Sequence, residues 1–422
     1  MLKQLEGSQA VAEAVAFCRP EVVCAYPITP QTHIVEGVGK LVKDGTLQNC
    51  EYINVESEFA ALSVAIGASA AGARTYTATA SQGLLFMAEA VYNAAGLGLP
   101  IVMTIGNRAI GAPINIWNDH TDSMSMKDAG WIQLFAETNQ EAVDLHIQAF
   151  RLAEELSCPV MVCVDGFILT HAYERIDVPT QEEVDAFLPP FEPVQVLDPV
   201  DPYSIGAMVG PEAFTEVRYL AHDKQMQALD LIPQVASVFK KVFGRETGGL
   251  VHPYRTEGAK TIVVALGSVN GTIKDVVDKM KDDGDSIGSI SICSFRPFPL
   301  QALADALEGA EKVVVLEKSL APGLGGVVAS NVRMALAKKT IPVLTVIAGL
   351  GGRPITMDSL ERVFRQAIED KLEDVHFLDL NHAAVDGEIE RARTTRSSGP
   401  TAENILRQLN TRRPAVKEGR QS

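Results

Sequence analysis

Three short segments near the start of the chain carry groups able to do chemistry, each at the end of an apolar run. Asn54-Val-Glu-Ser-Glu-Phe-Ala-Ala-Leu sets Glu56 and Glu58 where an extended stretch gives way to an alanine-rich helical one. A carboxylate there either complements the helix dipole or, held among apolar residues, keeps a proton more readily and suits proton traffic. Arg108, in Asn107-Arg-Ala-Ile-Gly-Ala-Pro, follows the apolar run Ile101–Ile105 and offers a planar fork for a carboxylate. In Tyr26-Pro-Ile-Thr-Pro-Gln-Thr, two prolines stiffen a strand-to-helix turn and fix the Thr29 hydroxyl and nearby amides. That turn serves either a ligand or the cap of the next helix.

Other groups read as structural. Trp117-Asn-Asp-His-Thr-Asp gathers His120 with Asp119 and Asp122; two acids and one imidazole so close form a hydrogen-bonded loop more often than a metal site, and a loop is the expectation. Gly323-Leu-Gly-Gly and Gly349-Leu-Gly-Gly-Arg lack the G-x-G-x-x-G spacing, and there is no P-loop. Tight-turn packing is expected there, although the helix after Gly323 has an amino end able to receive an anion. The six cysteines (Cys18, Cys24, Cys50, Cys158, Cys163 and Cys293) include no C-x-x-C, so zinc and iron–sulfur centres lack their usual framework. Cys158-Pro-Val-Met-Val-Cys163 reads as a buried strand.

The elements that must position these groups alternate. Helices are expected at Ser8–Cys18, Gln31–Lys43, Glu58–Ala71, Leu84–Ala95 and Glu141–Leu156, and strands at Val22–Tyr26, Tyr52–Val55, Thr75–Thr79, Ile101–Ile105 and Val160–Val164. Strands recurring after helices make βαβ units and a mostly parallel sheet, so the turns after the strands share one edge and Thr29, Glu58 and Arg108 share one cleft. Prolines crowd residues 179–211, a linker that leads into a long helix near Lys224–Phe243. A second block follows, with strands at Thr261–Ala265, Ser289–Cys293, Val313–Leu316 and Val343–Ile347 and helices at Thr272–Asp282, Leu300–Leu307 and Gly326–Ala337. The fold class is therefore α/β, two doubly wound domains.

Composition agrees: 422 residues, 46% hydrophobic and 21% charged, suit two or three globular domains. A formal charge of −16 disfavours nucleic acid and anionic membrane surfaces as partners. There is neither a long apolar run nor a secretory leader, so a cytoplasmic location is expected. The stretch from Arg391 to Ser422 reverses the sign, with eight basic residues against two acidic ones, as a solvated end or as an arm for an acidic partner.

Taken together, Tyr26-Pro-Ile-Thr-Pro-Gln-Thr, Ser57-Glu58, Thr79-Ala-Ser-Gln-Gly-Leu, Asn107-Arg108-Ala-Ile and Asn118-Asp-His-Thr-Asp resemble the α subunit of multi-subunit pyruvate:ferredoxin oxidoreductases. Glu317-Lys-Ser-Leu-Ala-Pro-Gly-Leu-Gly-Gly and Gly349-Leu-Gly-Gly-Arg-Pro-Ile-Thr resemble that family's second domain. The resemblance implies a thiamine diphosphate pyrimidine-binding domain (1–178), a linker with a long helix (179–255), a domain like the carboxy-terminal domain of transketolases (256–385) and a basic tail (386–422). It implies that Glu58 hydrogen-bonds N1′ of the aminopyrimidine, favouring the imino tautomer that deprotonates the thiazolium. Thr29 and Arg108 are implied to bind the 2-oxoacid, and Tyr26, Pro27, Ile28, Ser81 and Gln82 to line the cofactor.

It further implies missing parts. The only near match to the family's Gly-Asp-Gly diphosphate segment, Asp283-Gly-Asp, has no partner asparagine. Mg²⁺ and the diphosphate thus fall to a β subunit, and [4Fe-4S] clusters to partner subunits, with a γ-type subunit and ferredoxin or flavodoxin completing the complex. No metal is expected on this chain. Pyruvate fits the small, neutral Thr29 better than 2-oxoglutarate; 2-oxoisovalerate and oxalate enzymes share the scaffold, and a non-catalytic scaffold subunit is the remaining alternative.

Overall fold

Thr75-Tyr-Thr-Ala-Thr is β-branched at alternate positions and buried at every one, as the centre of a two-sided sheet requires. The computed structural model describes residues 1–202, 204–396 and 399–411. In chain order come β1 (Leu2–Glu6), α1 (Gly7–Phe17), β2 (Val22–Ala25), α2 (Thr32–Lys43), β3 (Glu51–Asn54), α3 (Glu58–Ala70), β4 (Thr75–Thr79), α4 (Ser81–Phe86), α5 (Ala88–Leu97) and β5 (Ile101–Asn107). A long loop and the short α6 (Thr121–Ser125) then lead to β6 (Ile132–Phe135), α7 (Asn139–Leu156), β7 (Val160–Asp165) and β8 (Tyr173–Asp177). The expected helix Leu84–Ala95 is two helices broken at Met87, the first opening at Ser81. The expected linker holds α8 (Gln181–Phe187) and an irregular run before α9, which starts at Phe214 and ends at Phe243.

The second block consists of β9 (Val251–Tyr254), β10 (Thr261–Ala265), α10 (Val269–Asp282), β11 (Ile287–Ile292), β12 (Ser294–Arg296), α11 (Leu300–Ala306), β13 (Lys312–Glu317), α12 (Val327–Ala335), β14 (Val343–Ile347) and α13 (Met357–Ile368). In its sheet β14, β13, β10, β11 and β9 lie side by side, parallel except for β9. The first sheet has seven strands in the order β12-β6-β7-β5-β4-β2-β3. All its pairings are parallel except β12 with β6, so a strand from the second block closes the edge of the first sheet.

Register aligns the carboxyl ends: Ala25 lies opposite Asn54, Thr79 opposite Ile105 and Asn107 opposite Asp165. Val15, Ile34, Phe150, Phe187 and Phe239 fill one face of the first sheet. On the other face Leu62, Leu84, Met103 and Trp131 continue without a break into Val264, Ile290, Val313 and Val328 of the second block. The two blocks therefore share one core, with each buried aliphatic side chain contributing roughly 1.5–3 kcal/mol. Met1–His376 forms one compact unit. Phe377–Ser422 is another, in which α14 (His382–Thr394) and α15 (Thr401–Thr411) are joined by a hydrogen bond from Asn404 to Glu388. The tail beyond Thr411 lies outside the described residues.

Candidate functional site

Glu58 opens α3, but it is not the cap: the Ser57 hydroxyl accepts the Ala60 N–H at 3.2 Å and fills that role. The Glu58 side chain folds inward, leaving the residue 8% exposed. Its carboxylate rests against Gly83 in α4, where a Cβ would lie 2.7 Å from Oε1 and 2.7 Å from the Thr79 hydroxyl. Glycine is therefore required at position 83 by close approach. Among the described residues no donor reaches the Glu58 carboxylate, and the Thr79 hydroxyl beside it is buried with no partner. A buried carboxyl group without a partner in its own chain is costly, and calls for one from outside.

Arg108 leaves the end of β5 and is 7% exposed. Its Nη1 donates to the Thr29 carbonyl at 2.9 Å and its Nε to the Asn115 carbonyl at 3.0 Å. Of the five guanidinium N–H groups, Nη2 and one on Nη1 remain for a carboxylate fork. Burial draws the Arg108 pKa down and Asp122 opposes it. Thr29 thus meets Arg108, as the shared edge predicts, but through its backbone carbonyl. Thr29 does not cap α2 either, since Gln31 occupies the cap position. Gln31 is fully buried and supports the turn from beneath, donating to the Tyr26 carbonyl at 2.9 Å, while Tyr26, Pro27 and Thr29 face outward and Ile28 is half-buried.

One carboxylate ties these pieces together, and it was not singled out by sequence as a positioning group. Asp122 Oδ2 accepts the N–H groups of Ser81 (2.9 Å) and Arg108 (3.0 Å); Oδ1 accepts Asn107 Nδ2 and the Ser123 N–H, both at 2.8 Å. Burial pushes its pKa up to about 6 despite these four donors. Ser81 itself has φ +50°, an uncommon conformation for a residue with a side chain, and its hydroxyl donates to the Ala109 carbonyl. The Gln82 side chain lies beside the Ser81 hydroxyl and reaches toward Gly111. Ser81, Gln82, Glu58, Thr29 and Arg108 thus converge through α4 and the 108–117 loop.

The second block holds that loop in place. Asn115 donates to the Gly351 carbonyl at 3.1 Å, and the Gly351 N–H donates to Asp119 at 3.0 Å. Gly352 has φ +78°, and a Cβ there would sit 2.4 Å from Trp117 Cβ. Deeper, His120 Nε2 lies 2.6 Å from Asp165, which also accepts from Lys318 (3.0 Å) and Ser268. Burial would raise the Asp165 pKa, but Lys318 and His120 outweigh it and hold the carboxyl well below its usual range. His120, Asp119 and Asp122 are each engaged by protein groups, which is the expected hydrogen-bonded loop.

The amino end of α12 likewise has its own anion. Glu317 accepts from the N–H groups of Val327 (2.7 Å), Val328 (2.8 Å) and Ala329 (3.1 Å), so the turn after Gly323 packs rather than binds. Neither large cavity, one of 790 Å³ beside α9 and one of 410 Å³ between Trp117 and Lys318, is lined by Glu58, Thr29 or Arg108.

These features define a class: a two-block α/β chain with an unpartnered acid and a half-engaged arginine on one open sheet edge. Residues 13–237 match the family described as pyruvate flavodoxin/ferredoxin oxidoreductase, thiamine diphosphate-binding, and residues 259–360 match pyruvate:ferredoxin oxidoreductase core domain II. The chain is 48% identical over 86% of its length to pyruvate synthase subunit PorA of Methanosarcina barkeri, covering 91% of that protein. To the subunit of the same name from Thermotoga maritima it is 43% identical over 87% of its length, covering 94% of the relative. Ketoisovalerate oxidoreductase subunit VorA of Pyrococcus horikoshii is 38% identical over 86% of the chain, with 92% of VorA covered.

Among solved structures, a 2-oxoglutarate:ferredoxin oxidoreductase from Magnetococcus marinus shares the fold, with a TM-score of 0.68 at 18% identity, covering 87% of this chain and 65% of that one. The chain belongs to the thiamine diphosphate-binding pyruvate flavodoxin/ferredoxin oxidoreductase family. The orphaned Glu58 carboxyl, pressed on a glycine where only backbone fits, suits the ring nitrogen of such a cofactor. No helix is long and apolar enough to cross a membrane among the described residues.

Proposed function

We propose that this chain is the α-type subunit of a cytoplasmic pyruvate:ferredoxin oxidoreductase, which converts pyruvate and CoA to acetyl-CoA and CO₂ and passes an electron pair to ferredoxin. The observation that carries this reading is the unpartnered Glu58 carboxyl on the same sheet edge as the half-engaged Arg108 fork. Thiamine diphosphate, when bound, supplies the nucleophilic carbon and the electron sink that decarboxylation of a 2-oxoacid needs. Glu58 holds the proton shared with N1′ of its aminopyrimidine. Arg108, with Thr29 beside it, grips the substrate carboxylate and fixes it for departure. Tyr26, Pro27, Ile28, Ser81 and Gln82 line the pyrimidine side.

In this reading residues 1–178 are the pyrimidine-binding domain, 179–255 the linker, 256–385 the transketolase-like domain and 386–422 the tail. The second block anchors the Arg108 loop through the bonds of Gly351 with Asn115 and Asp119. A β subunit brings Mg²⁺ and the diphosphate contacts, and further subunits bring the [4Fe-4S] clusters and meet ferredoxin. The cysteines of this chain support that division, being unpaired and, apart from Cys50, buried. The test is dye reduction by the chain alone and by the complex assembled with its neighbouring subunits. Pyruvate-dependent reduction by the complex only is expected; activity in the chain alone, or a preference for 2-oxoisovalerate over pyruvate, refutes the reading.

A further inference from the structure

We propose that Glu141, His252 and Cys293 bind a divalent transition-metal ion of borderline softness, Zn²⁺ foremost, that staples the first α/β block to the second. One carboxylate oxygen, one imidazole nitrogen and the Cys293 sulfur all lie within 4.8 Å of one another. They come from both blocks. Glu141 stands in the first turn of α7, where its Oε2 accepts the Glu137 N–H at 2.7 Å. His252 lies on β9 opposite Ser291 of β11. Cys293 follows β11 and is pinned on both sides: its N–H donates to the Leu250 carbonyl at 3.0 Å, and its carbonyl accepts the Phe135 N–H at 2.8 Å.

Two further observations point to an occupant. The cluster borders a small, partly open pocket of about 10 Å³, which Asn270 also lines, room for about one small ion or one water. The polar atoms around it present lone pairs rather than donors. His252 Nε2 is buried and unpartnered. Asn270 donates from Nδ2 to the Gly267 carbonyl at 3.0 Å, leaving Oδ1 buried and unpartnered.

The donor set selects the metal. Thiolate, imidazole and carboxylate together match Zn²⁺ at ligand distances of about 2.0–2.3 Å, which side-chain movements of about 1 Å achieve from these positions. Asn270 Oδ1 supplies the fourth corner. As the metal–sulfur bond forms, the Cys293 thiol releases its proton to solvent, and thiolate plus carboxylate then balance the ion's charge. Glu137 next to the site is already neutralised by Lys274 at 2.5 Å and adds no excess charge.

The test uses the full chain. Metal analysis after purification without chelator is expected to give one zinc per chain. Replacing it with Co²⁺ is expected to give a thiolate-to-cobalt charge-transfer band, which His252→Gln and Cys293→Ser each abolish. Stripping the wild-type chain with a chelator is expected to lower its thermal midpoint. The wild-type measurement suffices if either variant fails to fold. A wild-type chain that takes up neither Zn²⁺ nor Co²⁺ overturns the proposal and leaves one water in the cavity; a charge-transfer band that survives Cys293→Ser overturns it equally.

Discussion

Asp122→Asn separates the role of Asp122 as a positioning group from its cost as a buried charge. The carboxylate takes four donors, two on each oxygen. An amide keeps one oxygen and turns an NH₂ toward the other pair, leaving two buried donors unsatisfied at about 1–3 kcal/mol each. Against that loss stands a gain. With its pKa lifted from 3.8 to about 6 by burial, the ionised side chain weakens the native state by about 3 kcal/mol at neutral pH, a penalty the amide does not carry.

The sign follows from the raised value. Between pH 3.8 and about 6 the native state holds the proton and the unfolded chain does not, so this group's stabilisation is complete below that window and lost as pH rises through it. Denaturant midpoints of the wild-type chain are expected to carry that falling component, and those of Asp122→Asn to lack it. The variant is therefore destabilised more at pH 5 than at pH 7. In the assembled complex, loosening the Arg108 N–H is expected to raise the pyruvate KM by about tenfold, or about 1.4 kcal/mol, with a smaller change in kcat. An unchanged KM together with an unchanged pH component refutes the assignment of Asp122.

Other substitutions probe neighbouring parts of the site. Arg108→Ala removes a charge-assisted fork and is expected to lower kcat/KM for pyruvate by about 100- to 10,000-fold, with partial rescue by guanidinium in the assay; the absence of both effects contradicts its role. Gly83→Ala forces Glu58 and Thr79 away from a Cβ 2.7 Å from each, and turnover is expected to fall by about 10- to 100-fold while the pyruvate KM holds; normal turnover contradicts the close approach. Glu317→Gln leaves one of three helix N–H groups without its acceptor and is expected to cost about 1–3 kcal/mol in urea unfolding, with the pyruvate KM unaffected.

What the sequence displayed was local. Glu58 and Arg108 were legible because each lies at the junction where a strand gives way to the next segment, and parallel strands put such junctions on one edge. Asp122 was hidden because its donors include Ser81, 41 residues away, and because His120 and Asp119 beside it made the segment look like a self-contained loop. β6 was missed because β5 reaches it through the 108–120 loop and only the short α6, so the helix–strand alternation that revealed its sheet neighbours β5 and β7 gave no signal. The anion for the helix after Gly323 came from Glu317, ten residues upstream of Val327, a contact fixed only when β13 and α12 pack. The contact of the Thr29 carbonyl with Arg108 had no signal in the sequence, because the two residues lie 79 apart and meet only when β2 and β5 share a sheet.

The proposed contact between the partnerless Glu58 carboxyl and the ring nitrogen of thiamine diphosphate underlies the assigned chemistry. Its most direct test is hydrogen–deuterium exchange at C2 of the cofactor bound to the assembled complex, comparing wild type with Glu58→Gln. Exchange is expected to slow by about 100-fold or more in the variant while the cofactor stays bound; exchange within a few-fold of wild type refutes the contact.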